Sequence, residues 1–117
     1  MSADPSPPVD LDQLSRNTGT KDRDVLLSFV DLFLEEFPKL IAELEAAIAA
    51  RDPMRTHTAA HTAKGAAANG AAPELRDVLL GLQLNAQNED WVWMEDELQK
   101  VKTAHERIAV FRRDLTS

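Results

Sequence analysis

The sequence predicts an all-α protein. Apolar residues recur at three- and four-residue intervals over long stretches, nothing alternates with period two, and the breaks fall at Pro, Gly, Asn and Asp. There is no internal repeat and no low-complexity segment beyond an Ala-rich run. Short connections make neighbouring helices antiparallel. The expected architecture is therefore an antiparallel up-down four-helix bundle with a short additional N-terminal helix packed across one end.

Residues 1–9 begin with a Pro/Ser-rich stretch and read as a disordered leader, with residues 10–117 forming one helical domain. Asp10 can cap a short helix over Leu11 to Arg16, closed by Asn17-Thr18-Gly19. Asp22 or Asp24 then opens the longest periodic stretch, with Leu26, Phe29, Phe33, Phe37, Leu40, Leu44 and Ile48 on one face. Pro38 lies within that stripe, which keeps its phase on both sides, so a kink near Leu34 is expected rather than a break. Arg51-Asp52 ends the helix, and Pro53 suits the first turn of the next. That third helix is Ala-rich and stops at Asn69-Gly70, with Gly70 suited to a left-handed C-cap. A fourth runs from Pro73 to Gln87 with Leu75, Leu79, Leu82 and Ala86 inward. Asp90 caps the fifth, Trp91 to Leu115, whose stripe is Met94, Leu98, Val101, Ile108, Phe111 and Leu115. Trp91 and Trp93 cannot both face inward, so one is expected to be exposed or to cover the bundle's end. His105 falls in the apolar phase and is expected to be a satisfied core histidine.

At 117 residues and 44% hydrophobic content the chain can build one core of modest size. The absence of cysteine excludes disulfides, thiolate zinc sites and Cys nucleophiles. No apolar run approaches the roughly 20 residues of a membrane span, and the N-terminus has neither a basic nor an apolar signal region, so a soluble, cytoplasmic protein is expected. Met1 followed by the leader favours a free-standing chain. The formal charge of −7, with no Lys/Arg block, counts against nucleic acid and for a protein partner. No GxxxxGK[ST] loop or other nucleotide-binding signature is present, so the chain is not expected to phosphorylate itself from ATP.

The informative stretch is Ala60-His61-Thr62-Ala63-Lys64-Gly65-Ala66-Ala67-Ala68. On a helix, His61, Lys64 and Gly65 share one patch, His57 lies one turn before it, and Ala60, Ala63 and Ala67 form the inward face. A neutral imidazole nitrogen is a competent nucleophile, and a lysine one turn away can pair with the oxygens of a phosphoryl group attached to it. Gly65 in mid-helix costs about 1 kcal/mol relative to Ala, and its missing side chain leaves room beside His61 for that group and for a partner. With the helix 3–helix 4 turn centred near Ala72, Gln83 comes level with His61, and Gln87 with His57. Gln83 lies at the edge of the Leu75/Leu79/Leu82 stripe, where its amide can reach the imidazole or the phosphoryl oxygens.

Ala60-His61-Thr62-Ala63-Lys64-Gly65-Ala66 closely resembles the AHxLKG(S/A) motif of histidine-containing phosphotransfer (HPt) domains. Phe33-Leu34-Glu35-Glu36-Phe37-Pro38-Lys39-Leu40 and Leu44-Glu45-Ala46-Ala47-Ile48 resemble the family's second helix, proline included. The resemblance spans about Asp22 to Leu115 and implies a phosphorelay intermediate. In that reading His61 accepts a phosphoryl group from the aspartyl phosphate of one response-regulator receiver domain and passes it to another. Lys64 and Gly65 support it, and Gln83 takes the polar position some members use on the next helix. The chain needs no cofactor of its own, Mg2+ being expected on the receiver; a hybrid histidine kinase is a further expected partner, and the chain is expected to be a monomer. The sequence departs from the family pattern in three places. Ala63 stands where a larger aliphatic is usual, Ala66 stands where many members have Ser, and the family's glycine falls one place after Gly70.

Partner docking is expected at His57, Ala66 and Ala68, on a shallow surface to which Ala63, Gly65 and Ala67 also contribute. The same face would serve the alternative function, a receiver-binding helical adaptor without phosphotransfer. His57 and His61 at i and i+4 can in principle hold zinc, but no third ligand or HExxH pattern accompanies them, and no metal site is expected.

Overall fold

The structure, a computed structural model, describes residues 7–116. It is all-helical among the described residues: α1 (Leu11–Thr18), α2 (Arg23–Ala49), α3 (Pro53–Asn69), α4 (Pro73–Asn85), a 3-10 turn over Ala86–Asn88, and α5 (Trp91–Thr116). The helix starts follow from aspartate chemistry. The side chains of Asp10, Asp22, Asp52 and Asp90 each accept from the backbone N–H three residues on, at 3.0–3.1 Å, satisfying donors that the first turn leaves free. The start of α4 has no such cap and uses Pro73, whose missing N–H needs no partner.

The helix ends use a left-handed residue, though not where the sequence suggested. Gly19 closes α1 at φ 78°. After α2 and α3 the left-handed residues are Arg51 and Ala71, both at φ 56°. At the α3 end, Ala72 N–H donates to Ala67 O and Ala71 N–H to Ala68 O, the paired bonds of a Schellman turn; Asp52 and Arg51 repeat them on Ala47 and Ile48. Gly70, expected as the left-handed cap, has φ −81°. It is committed elsewhere: a Cβ there would stand 2.7 Å from the Phe33 ring. The left-handed backbone therefore falls one residue later, on Ala71.

The α2 stripe also differs by a residue at its start. Val30 is buried at 2% exposure, whereas Phe29, expected inward, is 41% exposed. A 3.6-residue period accommodates either position after Leu26, and α2 turns Val30 to the core. The helix continues through Pro38. α4 ends at Asn85, short of Gln87, where the backbone tightens into the 3-10 turn. Trp91 and Trp93 are both half-buried against the core, so neither is left exposed, and the Arg51 guanidinium covers Trp91 at 5.7 Å.

α2 packs on α3 and α5, and α4 packs on α3 and α5. The core runs between them through Phe37, Leu44, Ile48, Leu75, Leu79, Leu82, Met94, Val101 and Ile108. Ion pairs along the α2–α5 seam join Asp31 to Arg112, Glu45 to Lys102 and Arg51 to Glu95, numbers that run in opposite senses on the two helices. α1 crosses the α3–α4 end. Asn17 Nδ2 donates to the carbonyls of Ala68 and Asn69 at 3.2 Å, and Asp10 N–H to Ala71 O at 2.8 Å. Val9, assigned by sequence to the disordered leader, is 2% exposed beneath that crossing, so the ordered unit includes it. Its apolar side chain and the bonded backbone next to it explain why. Residues 1–6 of the expected leader lie outside the described residues.

Candidate functional site

α3 turns Thr56 and most of its alanines inward and leaves His61, Thr62 and Thr58 exposed. Ala60, Ala63 and Ala67 are buried, which lets α2 and α4 approach closely. Ala63 and Ala67, expected on the docking surface as well, therefore contribute nothing to it. Lys64 is half-buried, and among the described residues its ammonium has no carboxylate within ion-pair distance, whereas Lys39, Lys100 and Lys102 are all paired.

Gln83 arrives from α4 at the height of His61, as the hairpin count requires: its Oε1 lies 3.3 Å from His61 Nδ1. With the amide oxygen as acceptor, His61 Nδ1 carries the proton and donates. Nε2 is then left with a free lone pair on an exposed ring. Gly65 faces open space, since a Cβ there would meet nothing within 4 Å. No packing among the described residues requires that glycine. Gly81, on α4, is likewise free of any neighbour that would exclude a side chain.

The docking residues do not form one patch. Ala66 lines an apolar groove of about 410 Å3 between α1, α2 and α3, with Leu14, Phe29, Leu32, Phe33 and Gly70, and Asn17, Glu36 and Asn69 at its edges. Ala68 is exposed and gives its carbonyl to Asn17. His57, expected at the docking rim, is half-buried on the α4 side, where its Nδ1 donates to the Gln83 carbonyl at 3.1 Å; Gln87, expected level with it, does not receive that bond. On the α2 side, the Arg55 guanidinium donates to both oxygens of Glu43, at 2.8 and 3.0 Å. That hydrogen bond lowers the Glu43 pKa and raises that of Arg55. Both groups are exposed, so the pair ties α2 to α3 with little net stabilisation.

Sequence periodicity missed an aromatic stack behind the groove. Phe33 stacks on Phe37 with ring centroids 4.7 Å apart, and Phe37 on His105 at 5.6 Å. His105 was expected to be satisfied, but its Nε2 is buried without a hydrogen-bond partner. Desolvation of the ring lowers its pKa, partly offset by Glu106. The apolar phase of His105 was readable; that its neighbours on α2 are phenyl rings with no acceptor to offer was not.

The model of the Hpt domain family matches residues 28–111. The chain belongs to the Hpt domain family. Its role is histidine phosphotransfer in a phosphorelay. Among solved structures, the Hpt fold matches the crystal structure of histidine-containing phosphotransfer protein B (HptB) from Pseudomonas aeruginosa PAO1. The TM-score is 0.80 at 18% identity, covering 94% of this chain and 95% of that one. No curated protein matches the sequence. Among the described residues no helix is long and apolar enough to cross a membrane, and no group of three His, Asp or Glu could hold a metal ion.

Proposed function

We propose that His61 is the phosphoacceptor of this Hpt domain and that Nε2 is its reactive atom. The observation that carries this reading is the 3.3 Å contact between His61 Nδ1 and Gln83 Oε1: in the tautomer that donates from Nδ1 to the amide oxygen, Nε2 keeps its lone pair on an exposed residue. The Nε2 lone pair attacks the phosphorus of a receiver's aspartyl phosphate in line. The bond from phosphorus to the acyl oxygen breaks, and the aspartate leaves as a carboxylate with the electron pair. The imidazole gains positive charge as the N–P bond forms, and the Gln83 oxygen stabilises that charge through the retained Nδ1–H. Attack by a second receiver's aspartate on the phosphoramidate reverses the step.

Lys64 is free to meet the phosphoryl oxygens because no acid in the described chain engages it. The receiver is expected to supply Mg2+ and to neutralise the rest of the charge. Gly65 and Ala68 leave the surface beside His61 flat. The apolar groove at Ala66, with Phe29 and Leu32 exposed at 41% and 54%, offers the receiver an anchor. Response-regulator receivers are the partners on both steps, with a hybrid histidine kinase as the origin of the relay. The α2–α5 arrangement is read as an antiparallel up-down four-helix bundle acting as a cytoplasmic monomer. The opposed numbering of the seam ion pairs and the Phe33–Gly70 and His61–Gln83 contacts support that topology.

Mixing the protein with a receiver carrying labelled aspartyl phosphate tests the proposal. Label should move to an acid-labile, base-stable adduct on this chain and disappear in His61→Gln. Tight receiver binding without transfer would favour the adaptor function instead.

A further inference from the structure

We propose that His57 is a positioning residue for this transfer: by anchoring the α4 backbone at Gln83 it sets the amide that fixes the His61 ring. The chemistry rests on His61 as phosphoacceptor; the geometry does not. Two histidines one helical turn apart converge on one residue of α4. His57 Nδ1 lies 3.1 Å from the Gln83 carbonyl oxygen, and His61 Nδ1 lies 3.3 Å from the Gln83 amide oxygen. A backbone carbonyl can only accept, so His57 must hold its proton on Nδ1.

Gln83 needs such an anchor. α4 ends at Asn85, and the carbonyls of a helix's last turn have lost their intrahelical donors. The other side-chain bond in this turn, from Asn85 Nδ2 to Gly81 O at 2.8 Å, stays within α4 and cannot fix α4 against α3. The α3 surface that α4 packs against is largely alanine. The buried Leu75, Leu79 and Leu82 seat α4 in the core, and the bond from His57 adds a directional tie between α3 and the C-terminal turn that carries Gln83. A shift of 1 Å at Gln83 would stretch the 3.3 Å His61 contact beyond hydrogen-bond range and release the imidazole to either tautomer.

His57→Phe keeps a ring and deletes the donor, and His57→Asn keeps a donor close to the Nδ1 position. The tautomer of His61 can be read directly from its imidazole 15N shifts, without any phosphoryl transfer. The Nδ1–H form should dominate in the native protein and in His57→Asn, and become a mixture in His57→Phe and in Gln83→Ala. The rate of phosphorylation of His61 by phosphoramidate should fall about two- to tenfold in His57→Phe, the range expected for losing one hydrogen bond, and recover in His57→Asn. Should the phenyl ring prevent folding, His57→Ala makes the same deletion without the bulk.

A His57→Phe protein that loses stability yet keeps the native His61 tautomer and rate would overturn the proposal and leave His57 as structural only. If no variant, nor the native protein, takes a phosphoryl group, the phosphoacceptor assignment fails. The tautomer shifts would still decide whether His57 positions His61.

Discussion

Gly65 separates what the fold needs from what the site needs. Its Cβ position is open, so Gly65→Ala should raise stability by about 1 kcal/mol in urea unfolding, as removing a mid-helix glycine does. The same methyl stands beside His61 in the path of a docked receiver and should slow transfer; a variant both more stable and equally active would remove Gly65 from the site. His105 gives a second test. Its folded pKa lies below the ordinary 6.5 because the ring is desolvated, so the unfolded chain takes up the proton first as pH falls. The stability contributed by the neutral ring is full above about pH 6.5 and lost as the pH drops through the folded value. Urea midpoints measured from pH 7.5 to 5 should decline more steeply in the native protein than in His105→Leu. At this scale His61, Lys64 and Gly65 were legible because residues three and four apart meet on any helix. The missing partner of His105 was not, because it depends on rings contributed by α2.

The elements were legible wherever a local device fixes them, as with the caps Asp10 and Asp90 and with Pro53 at the start of α3. They slipped where two demands met at one residue. Gly70 had to serve either as the left-handed turn or as the bare surface under Phe33. Phe33, stacked on Phe37, occupies the space where a Cβ at Gly70 would stand, and Ala71 carries the left-handed backbone. Gly70→Ala should therefore cost about 1–3 kcal/mol in urea unfolding, the range for overpacking, although alanine is the better helix former. A neutral or stabilising result would mean that the ring moves aside freely. Phe29 was misplaced for a related reason: helical period allows Phe29 or Val30 to follow Leu26, and only the packing against the other helices chooses.

Across the whole molecule, a family motif on α3 and a glutamine from α4 meet at one exposed imidazole, and α1, α2 and α3 build a separate groove at Ala66. The first two were reachable by counting along a hairpin; the groove was not, because α1 crosses the far end through bonds from Asn17 and Asp10 that no periodicity reveals. That groove gives a docking test. Leu32 is 54% exposed, so Leu32→Asp should change stability by no more than about 0.5 kcal/mol. Receiver binding should weaken at least about tenfold, the loss of one apolar anchor, as read by titration calorimetry. Unchanged binding would place the receiver on another face. The central claim, that His61 carries the phosphoryl group on Nε2, is tested most directly by 31P–15N correlation in the protein phosphorylated by phosphoramidate. The phosphorus should couple to Nε2 of His61 alone; coupling to its Nδ1, or to either nitrogen of His57 or His105, would contradict it.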